Sequence, residues 1–247
     1  MSKNFEVLSR IGIERGAVPL EAATTFDVSV LLEEKRPQSD KCGSSLRPEI
    51  LKLVNVLFLA PQNAPRCVLF CGVDETDDSH GVCISIARAL AKEVPQKICL
   101  MDAKLSGSCL EESLETADGP FSSPDPTGGI DEYTRQIGEN LWFLSATTIL
   151  SVSLGNNGSV HLCSALLRLR REFDYVLVHT PPAGTDRVAS VLGQVADGVV
   201  LVLEANNTRR VTARSAKETL EAAKVRLLGT VLNNRTFPIP EKLYRRL

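Results

Sequence analysis

The chain has 247 residues, 43% of them hydrophobic, and its 28 Lys and Arg against 30 Asp and Glu give a formal net charge of -2. This length and apolar content predict one sizeable domain with its own core, and the near-neutral charge excludes a general attraction to nucleic acid or anionic lipid. No apolar run approaches the roughly 18 residues of a membrane helix, and the N-terminal residues MSKNFEVLSR lack the apolar stretch of a signal peptide. The expectation is a cytoplasmic protein.

The first 47 residues are predicted to form an N-terminal arm and linker. They contain two short apolar-periodic pieces, NFEVLSRIGIE and DVSVLLEE, followed by a polar run that ends before Pro48. From Pro48 the segment EILKLVNVLFL has the i, i+3, i+4, i+7 apolar spacing of an amphipathic helix. The predicted division is therefore an arm over 1–47 and one α/β domain over 48–247.

Apolar segments and amphipathic helices alternate along the rest of the chain. Strands are predicted at 66–73, 97–103, 141–147, 174–180, 198–205 and 225–234, and helices at 82–94, 159–173, 186–196 and 209–224. The Gly, Pro and Ser-rich segment 119–129 is predicted to be the least ordered connection. Strands that are apolar on both faces indicate a doubly wound, mostly parallel sheet with helices on both sides.

The seven cysteines are expected to be reduced, mostly buried thiols. Their number is odd and no two form a CxxC pair. Cys67 and Cys71 share one face of a predicted strand with His80 nearby in sequence, which would suit a metal site. Sulfur ligands usually have tighter, repeated spacings, so buried free cysteine is the favoured interpretation.

A doubly wound sheet binds ligands at the carboxyl ends of its strands, which directs attention to the turn after residue 72, to Asp102 and to His179. The turn carries four carboxylates within residues 74–78, in DETDD. One interpretation is a solvated loop that caps the following helix, because carboxylates stabilise helix N-termini. The other is a surface that docks a partner protein.

Four segments in this order resemble the cytoplasmic ATP-binding domain of the bacterial tyrosine autokinases of capsule and exopolysaccharide synthesis, within the MinD/ParA-like P-loop ATPases. KICLMDAKL resembles the Walker A′ strand and FDYVLVHTPP the Walker B strand, while VADGVVLVLEANNTRR and LLGTVLNN resemble the two strands that follow. The resemblance covers the chain from about Glu49 onward and implies the P-loop ATPase fold.

The same resemblance implies that the phosphate loop has lost its chemistry. The family's loop reads PGEGKST, and an ungapped match of the helix at 84–91 puts Ser79 at the lysine and His80 at the first hydroxyl position. Asp102 matches the first Walker A′ aspartate, whereas His179 replaces the aspartate that holds magnesium. Imidazole is a poor ligand for so hard an ion.

The remaining matched positions give a mixed picture. Asn233 matches the family's adenine-side asparagine, although an asparagine could equally end the last strand. His179 could be a structural histidine or a catalytic base, and Asp102 a residual polar group of the cleft or a buried, hydrogen-bonded carboxylate. The family's ring-forming ExxRxxR pattern, which would build an oligomer, corresponds here to Glu49, Lys52 and Asn55.

Two functions follow from the resemblance. The first is a non-catalytic, kinase-like protein, without a bound cofactor or metal, that acts on a protein partner: a membrane polysaccharide co-polymerase that recruits it to the inner face of the membrane, or an active kinase. The second is an active tyrosine autokinase that uses ATP and Mg²⁺, with Lys104 or Lys35 replacing the missing lysine. Only Tyr244 of the three tyrosines lies near the C-terminus, where the family has a tyrosine cluster.

Overall fold

A computed structural model of the chain describes residues 28–33, 48–104, 110, 113–114, 134–147, 149 and 158–235. The predicted connection at 119–129 and Lys35, Cys42, Cys109 and Tyr244 lie outside the described residues. The strands are β1 (Val28–Glu33), β2 (Cys67–Gly72), β3 (Ile98–Asp102), β4 (Arg135–Gln136), β5 (Leu141–Ser145), β6 (Tyr175–Thr180), β7 (Gly198–Glu204) and β8 (Leu227–Arg235).

The described helices cover most of the predicted helical segments. They are α1 (Pro48–Val54), which continues into a π-helical turn (Asn55–Leu59), and α2 (Ser79–Glu93), α3 (Gly158–Glu172), α4 (Val188–Leu192) and α5 (Arg210–Ala222). No helix among the described residues is both long and apolar enough to cross a membrane.

The eight strands form one sheet in the order β1-β8-β7-β2-β6-β3-β5-β4. Every neighbouring pair is parallel except β4 and β5, which are antiparallel. Helices α1 and α2 pack on one face, and α3, α4 and α5 on the other. The predicted doubly wound, mostly parallel sheet is confirmed.

The central strands are buried on both faces, which is why they read as continuous apolar runs. All six residues of β2 and all five of β3 are buried. Cys67, Leu69 and Cys71 of β2 face α3 and α4, while Val68 and Phe70 face α1 and α2. This core fixes β2, β6 and β3 side by side at the middle of the sheet, and their carboxyl ends therefore meet.

Three details differ from the sequence-based expectation. The segment predicted as an arm contributes β1, which pairs in parallel with β8 at the edge of the sheet. The division at residue 47 itself stays a prediction. The two-residue strand β4 was not predicted, because two residues carry no periodicity, and α4 is shorter than the predicted helix at 186–196.

Candidate functional site

The acidic turn, residues 74–78, joins β2 to α2 and is organised by one of its own carboxylates. Asp77 is only 5% exposed. Its Oδ2 atom accepts hydrogen bonds from the backbone N–H groups of Val73 and Asp74, each at 2.8 Å. Asp78 is the N-cap of α2, and its Oδ1 atom accepts from the Gly81 N–H at 3.0 Å. The capping interpretation is therefore confirmed, whereas full solvation is wrong for Asp77.

Asp77 also ties the acidic turn to the turn between β7 and α5. The Thr208 hydroxyl donates to Asp77 Oδ1 at 2.8 Å and accepts the Glu204 N–H at 2.8 Å. Beside it, the Asn207 amide donates to the Thr76 hydroxyl at 2.9 Å. Two loops that are 131 residues apart in sequence are thus joined by side-chain hydrogen bonds.

The second feature is a buried chain of three polar side chains. Ser79 Oγ lies 3.2 Å from His179 Nε2, and His179 Nδ1 lies 3.0 Å from Asp102 Oδ1. Asp102 Oδ1 also accepts the Lys104 N–H at 3.1 Å. Asp102 is fully buried, and Ser79 and His179 are each 5% exposed. Asp102 is therefore the buried, hydrogen-bonded carboxylate of the two alternatives.

The parallel sheet explains why these side chains meet. His179 pairs in register with Asp102 on β3 and with Phe70 on β2, so it stands between the two strand ends. Ser79 is the first residue of α2, directly after the turn that leaves β2. Side chains at the carboxyl ends of adjacent parallel strands share one edge of the sheet. The three predicted positions Ser79, His179 and Asp102 are therefore brought together.

The other predicted residues lie around this chain. His80 Nδ1 is 3.2 Å from Asp78 Oδ1, and the His80 ring stands edge-on to that of His179. Lys104 Nζ lies 3.6 Å from Glu75 Oε2. Asn233 is buried near the end of β8, pairs in register with Glu204 of β7, and accepts the Ala205 N–H through its carbonyl.

The described cysteines are buried free thiols, as predicted: Cys67, Cys71, Cys83, Cys99 and Cys163. Burial raises the pKa of Cys67 and of Cys71 from 9.0 to about 12, so neither is a thiolate near neutral pH. No group of three or more His, Cys, Asp or Glu that could hold a metal occurs among the described residues, so Cys67, Cys71 and His80 do not converge.

Whether a nucleotide's phosphates and magnesium fit this site depends on the hydrogen-bond donors that the acidic turn has available. A phosphate loop holds phosphate with backbone N–H groups and a lysine. Here Asp77 accepts hydrogen bonds from the N–H groups of Val73 and Asp74, and Asp78 accepts one from the N–H group of Gly81. Ser79 lies where the matched phosphate loop has its lysine. Both ring nitrogens of His179 are within hydrogen-bond distance of a side chain, Nε2 of Ser79 and Nδ1 of Asp102. These residues do not fit the phosphates or their metal.

Sequence reasoning missed the connections rather than the positions. The sequence indicated Ser79, His179 and Asp102 separately. All three lie at or just after the carboxyl ends of adjacent strands, and this placement could have predicted that they meet. The separate roles of Asp77 and Thr208 had no such signal, because four neighbouring carboxylates look alike in sequence.

Comparison with known proteins agrees with this architecture, although no family model matches the chain. The ParA family ATPase from Chlorobium tepidum TLS superposes with a TM-score of 0.53 at 15% identity, covering 68% of this chain and 74% of that one. The kinase domain of the Escherichia coli tyrosine kinase ETK gives a TM-score of 0.68 at 14% identity, covering 85% and 90%. Tyrosine-protein kinase CpsD of Streptococcus agalactiae is 25% identical over 190 residues, 72% of this chain and 79% of that protein.

The chain thus has the fold of the MinD/ParA-like P-loop ATPases. Its sequence is similar to those of bacterial tyrosine-protein kinases such as CpsD, as the strand motifs indicated.

Proposed function

We propose that the chain is a tyrosine-kinase-like protein that no longer transfers phosphate and acts through a protein partner in capsular or exopolysaccharide synthesis. The observation that carries this proposal is the Asp77 carboxylate, which accepts the Val73 and Asp74 N–H groups at 2.8 Å in the turn where the family binds phosphate. Asp77 is an internal anion at that position.

An internal anion competes strongly with a free one. Asp77 is held by the fold and by the Thr208 hydroxyl, so an incoming phosphate would have to displace it and break three hydrogen bonds. The incoming group would also meet Asp74, Glu75 and Asp78. Like charges about 4 Å apart repel by about 1 kcal/mol in water, and by more where water is excluded. Binding of a triphosphate is therefore opposed both by the hydrogen bonds that Asp77 already makes and by repulsion from the other carboxylates.

The acidic turn supplies a surface for a partner. Glu75 has a side chain that is 58% exposed, while Asp77 holds the backbone beneath it in one conformation. A rigid turn with outward carboxylates favours a partner segment that carries Lys or Arg. The similarity to a tyrosine-protein kinase, CpsD, supports a partner that belongs to a tyrosine-kinase system, either a membrane co-polymerase or an active kinase. The proposed location is the cytoplasm, at the inner face of the membrane when the partner is bound.

One contact favours the second candidate, an active ATP-dependent autokinase. Lys104 Nζ lies 3.6 Å from Glu75, so an ammonium group does reach the acidic turn. In an active kinase, Lys104 would have to leave Glu75 and replace the lysine that is absent at Ser79.

Calorimetric titration with ATP and Mg²⁺, together with mass spectrometry for phosphotyrosine, separates the two functions. The proposal requires no heat of binding at millimolar ATP and no phosphotyrosine. Micromolar binding that a Lys104→Ala variant loses would establish the autokinase instead.

A genetic experiment tests the partner role. In a strain that lacks the chain, wild-type protein and the Lys104→Ala variant should restore polysaccharide length equally. A Glu75→Lys variant, which reverses one outward charge of the turn, should restore it poorly. Equal restoration by Glu75→Lys would remove the acidic turn from the proposal.

A further inference from the structure

The buried chain of Ser79, His179 and Asp102 has the connectivity of a serine nucleophile with its base. The Ser79 Oγ to His179 Nε2 distance is 3.2 Å, and the His179 Nδ1 to Asp102 Oδ1 distance is 3.0 Å. Serine hydrolases use the same atoms in the same order, and this arrangement occurs on unrelated folds. From this geometry we infer that Ser79 is a nucleophile toward small, uncharged carboxylic esters, an activity that is independent of the proposed partner function.

Asp102 sets the orientation of the imidazole. Because its carboxylate has only acceptor atoms, the His179 nitrogen that faces it, Nδ1, carries the proton. The Nε2 lone pair then faces the Ser79 hydroxyl and can accept its proton. The Lys104 N–H at 3.1 Å holds Asp102 Oδ1 in place. Asp102 is thus a positioning residue, while Ser79 and His179 would touch the reacting atoms.

The surroundings of Ser79 resemble those of a nucleophile at a strand-to-helix turn. Ser79 opens α2 directly after β2 and its turn, where the helix dipole stabilises negative charge. The Ser79, Gly81 and Val82 N–H groups already have acceptors. Within the described part of the chain, the His80 N–H has none, and the amide that follows the nucleophile is the one that stabilises the oxyanion in serine esterases.

Two features define the substrate class. The Ser79 hydroxyl is crowded, because Ser79 is 5% exposed and even a Cβ added to Gly72 would lie 3.3 Å from its Oγ, closer than an ordinary contact, so only a small acyl group can approach it. The acidic turn brings Asp74, Glu75 and Asp78 to the same region, and their charge repels anionic esters. A small, neutral acyl ester such as an acetate ester fits both constraints.

The reaction has two balanced halves. Ser79 Oγ attacks the ester carbonyl carbon as its proton passes to His179 Nε2. The tetrahedral intermediate then expels the alcohol, which takes that proton, and leaves acyl-Ser79. Water next gives a proton to Nε2 and attacks the acyl carbon, which releases the carboxylic acid and returns the proton to Ser79.

The test is covalent labelling of the full-length chain with an uncharged fluorophosphonate, followed by intact-mass measurement and peptide mapping. We expect one adduct, located on Ser79, and none in the Ser79→Ala variant. The His179→Asn variant, which keeps a donor toward Asp102 but lacks the base, should label about 100-fold more slowly or less. Matched controls are Ser190→Ala, another buried serine, and His161→Asn, another histidine; both should label at the wild-type rate.

Further readouts separate catalysis from folding. Circular dichroism checks each variant, and mapping of the wild-type adduct needs no variant at all. Asp102→Asn should change the pH dependence of the labelling rate, which a purely structural Asp102 would leave unmoved. 4-Nitrophenyl acetate should be hydrolysed at least about 100-fold faster by wild type than by Ser79→Ala, in line with the 10²–10⁴-fold effects of general bases. Absence of a Ser79 adduct in the folded wild type, or labelling at Ser79 that is unchanged in His179→Asn, would overturn the inference.

Discussion

Replacing Asp77 with alanine is the most direct test of the internal-anion interpretation. The change removes a carboxylate that is 5% exposed and accepts from two backbone N–H groups and one hydroxyl, all at 2.8 Å. A hydrogen bond to a charged group stabilises a protein by about 1.5–3 kcal/mol. Water can reach part of a surface turn and replace some of the lost bonds, so we expect a loss of about 3 kcal/mol in the free energy of unfolding.

Urea denaturation measures this loss with two probes. Far-UV circular dichroism reports the helices, and fluorescence of Trp142, the single tryptophan, reports the packing of β5 against Phe173. The matched control is Glu75→Ala, which removes a carboxylate from the same turn. Glu75 is exposed and pairs only with Lys104 among the described residues, so its loss should cost about 1 kcal/mol or less.

Chemical rescue makes the test specific to the missing anion. Formate, a carboxylate that fits the space left by the side chain, should raise the melting temperature of Asp77→Ala more than that of wild type at equal ionic strength. If Asp77→Ala is no more destabilising than Glu75→Ala, Asp77 does not organise the turn and the reasoning fails.

Three further predictions concern stability. Asp197→Ala should cost about 3 kcal/mol in urea denaturation, because Asp197 accepts from two backbone N–H groups at the start of β2 and from Arg170; a loss under 1 kcal/mol would contradict this. Lys104→Ala, which breaks a partly exposed pair, should cost about 1 kcal/mol or less, and a larger cost would mean that Glu75 is not its main partner. Folding raises the pKa of the Cys67 and Cys71 thiols from 9.0 to about 12, so these thiols ionise at a lower pH in the unfolded chain than in the folded chain. These two thiols should therefore make a constant contribution to the free energy of unfolding below pH 9, and that contribution should fall between pH 9 and 12, by up to about 1.4 kcal/mol per pH unit for each thiol; Cys71→Ala should flatten this decline.

The framework of the fold could be predicted from local sequence patterns. An apolar run such as CVLFCG at 67–72 has no polar face to expose, so it must be a strand buried on both sides, and β6 and β7 read in the same way. The helix predicted at 82–94 is also present as α2, although it begins three residues earlier, at Ser79. These features depend on residues that are near one another in the chain.

The edge strand β1 could not be placed in this way. Its sequence VSVLLE is apolar, but an apolar piece ahead of a polar run fits an arm as well as a strand. What decides its state is the edge of β8, to which Val28 and its neighbours pair in parallel. That edge exists only after the rest of the sheet has formed, since pairing between distant segments must first overcome the entropy of closing the loop.

The sequence by itself determined the doubly wound sheet and the place of the acidic turn between β2 and α2, because each depends on the periodicity or the residue types of one segment. Only the tertiary structure decided that Asp77 is buried while Glu75 is exposed, and that Ser79, His179 and Asp102 form one chain. Asp77 meets Thr208 across 131 positions and Ser79 meets His179 across 100. A buried polar group is stable only with a partner, and partners so distant in sequence meet only because parallel strands bring their carboxyl ends to one edge of the sheet.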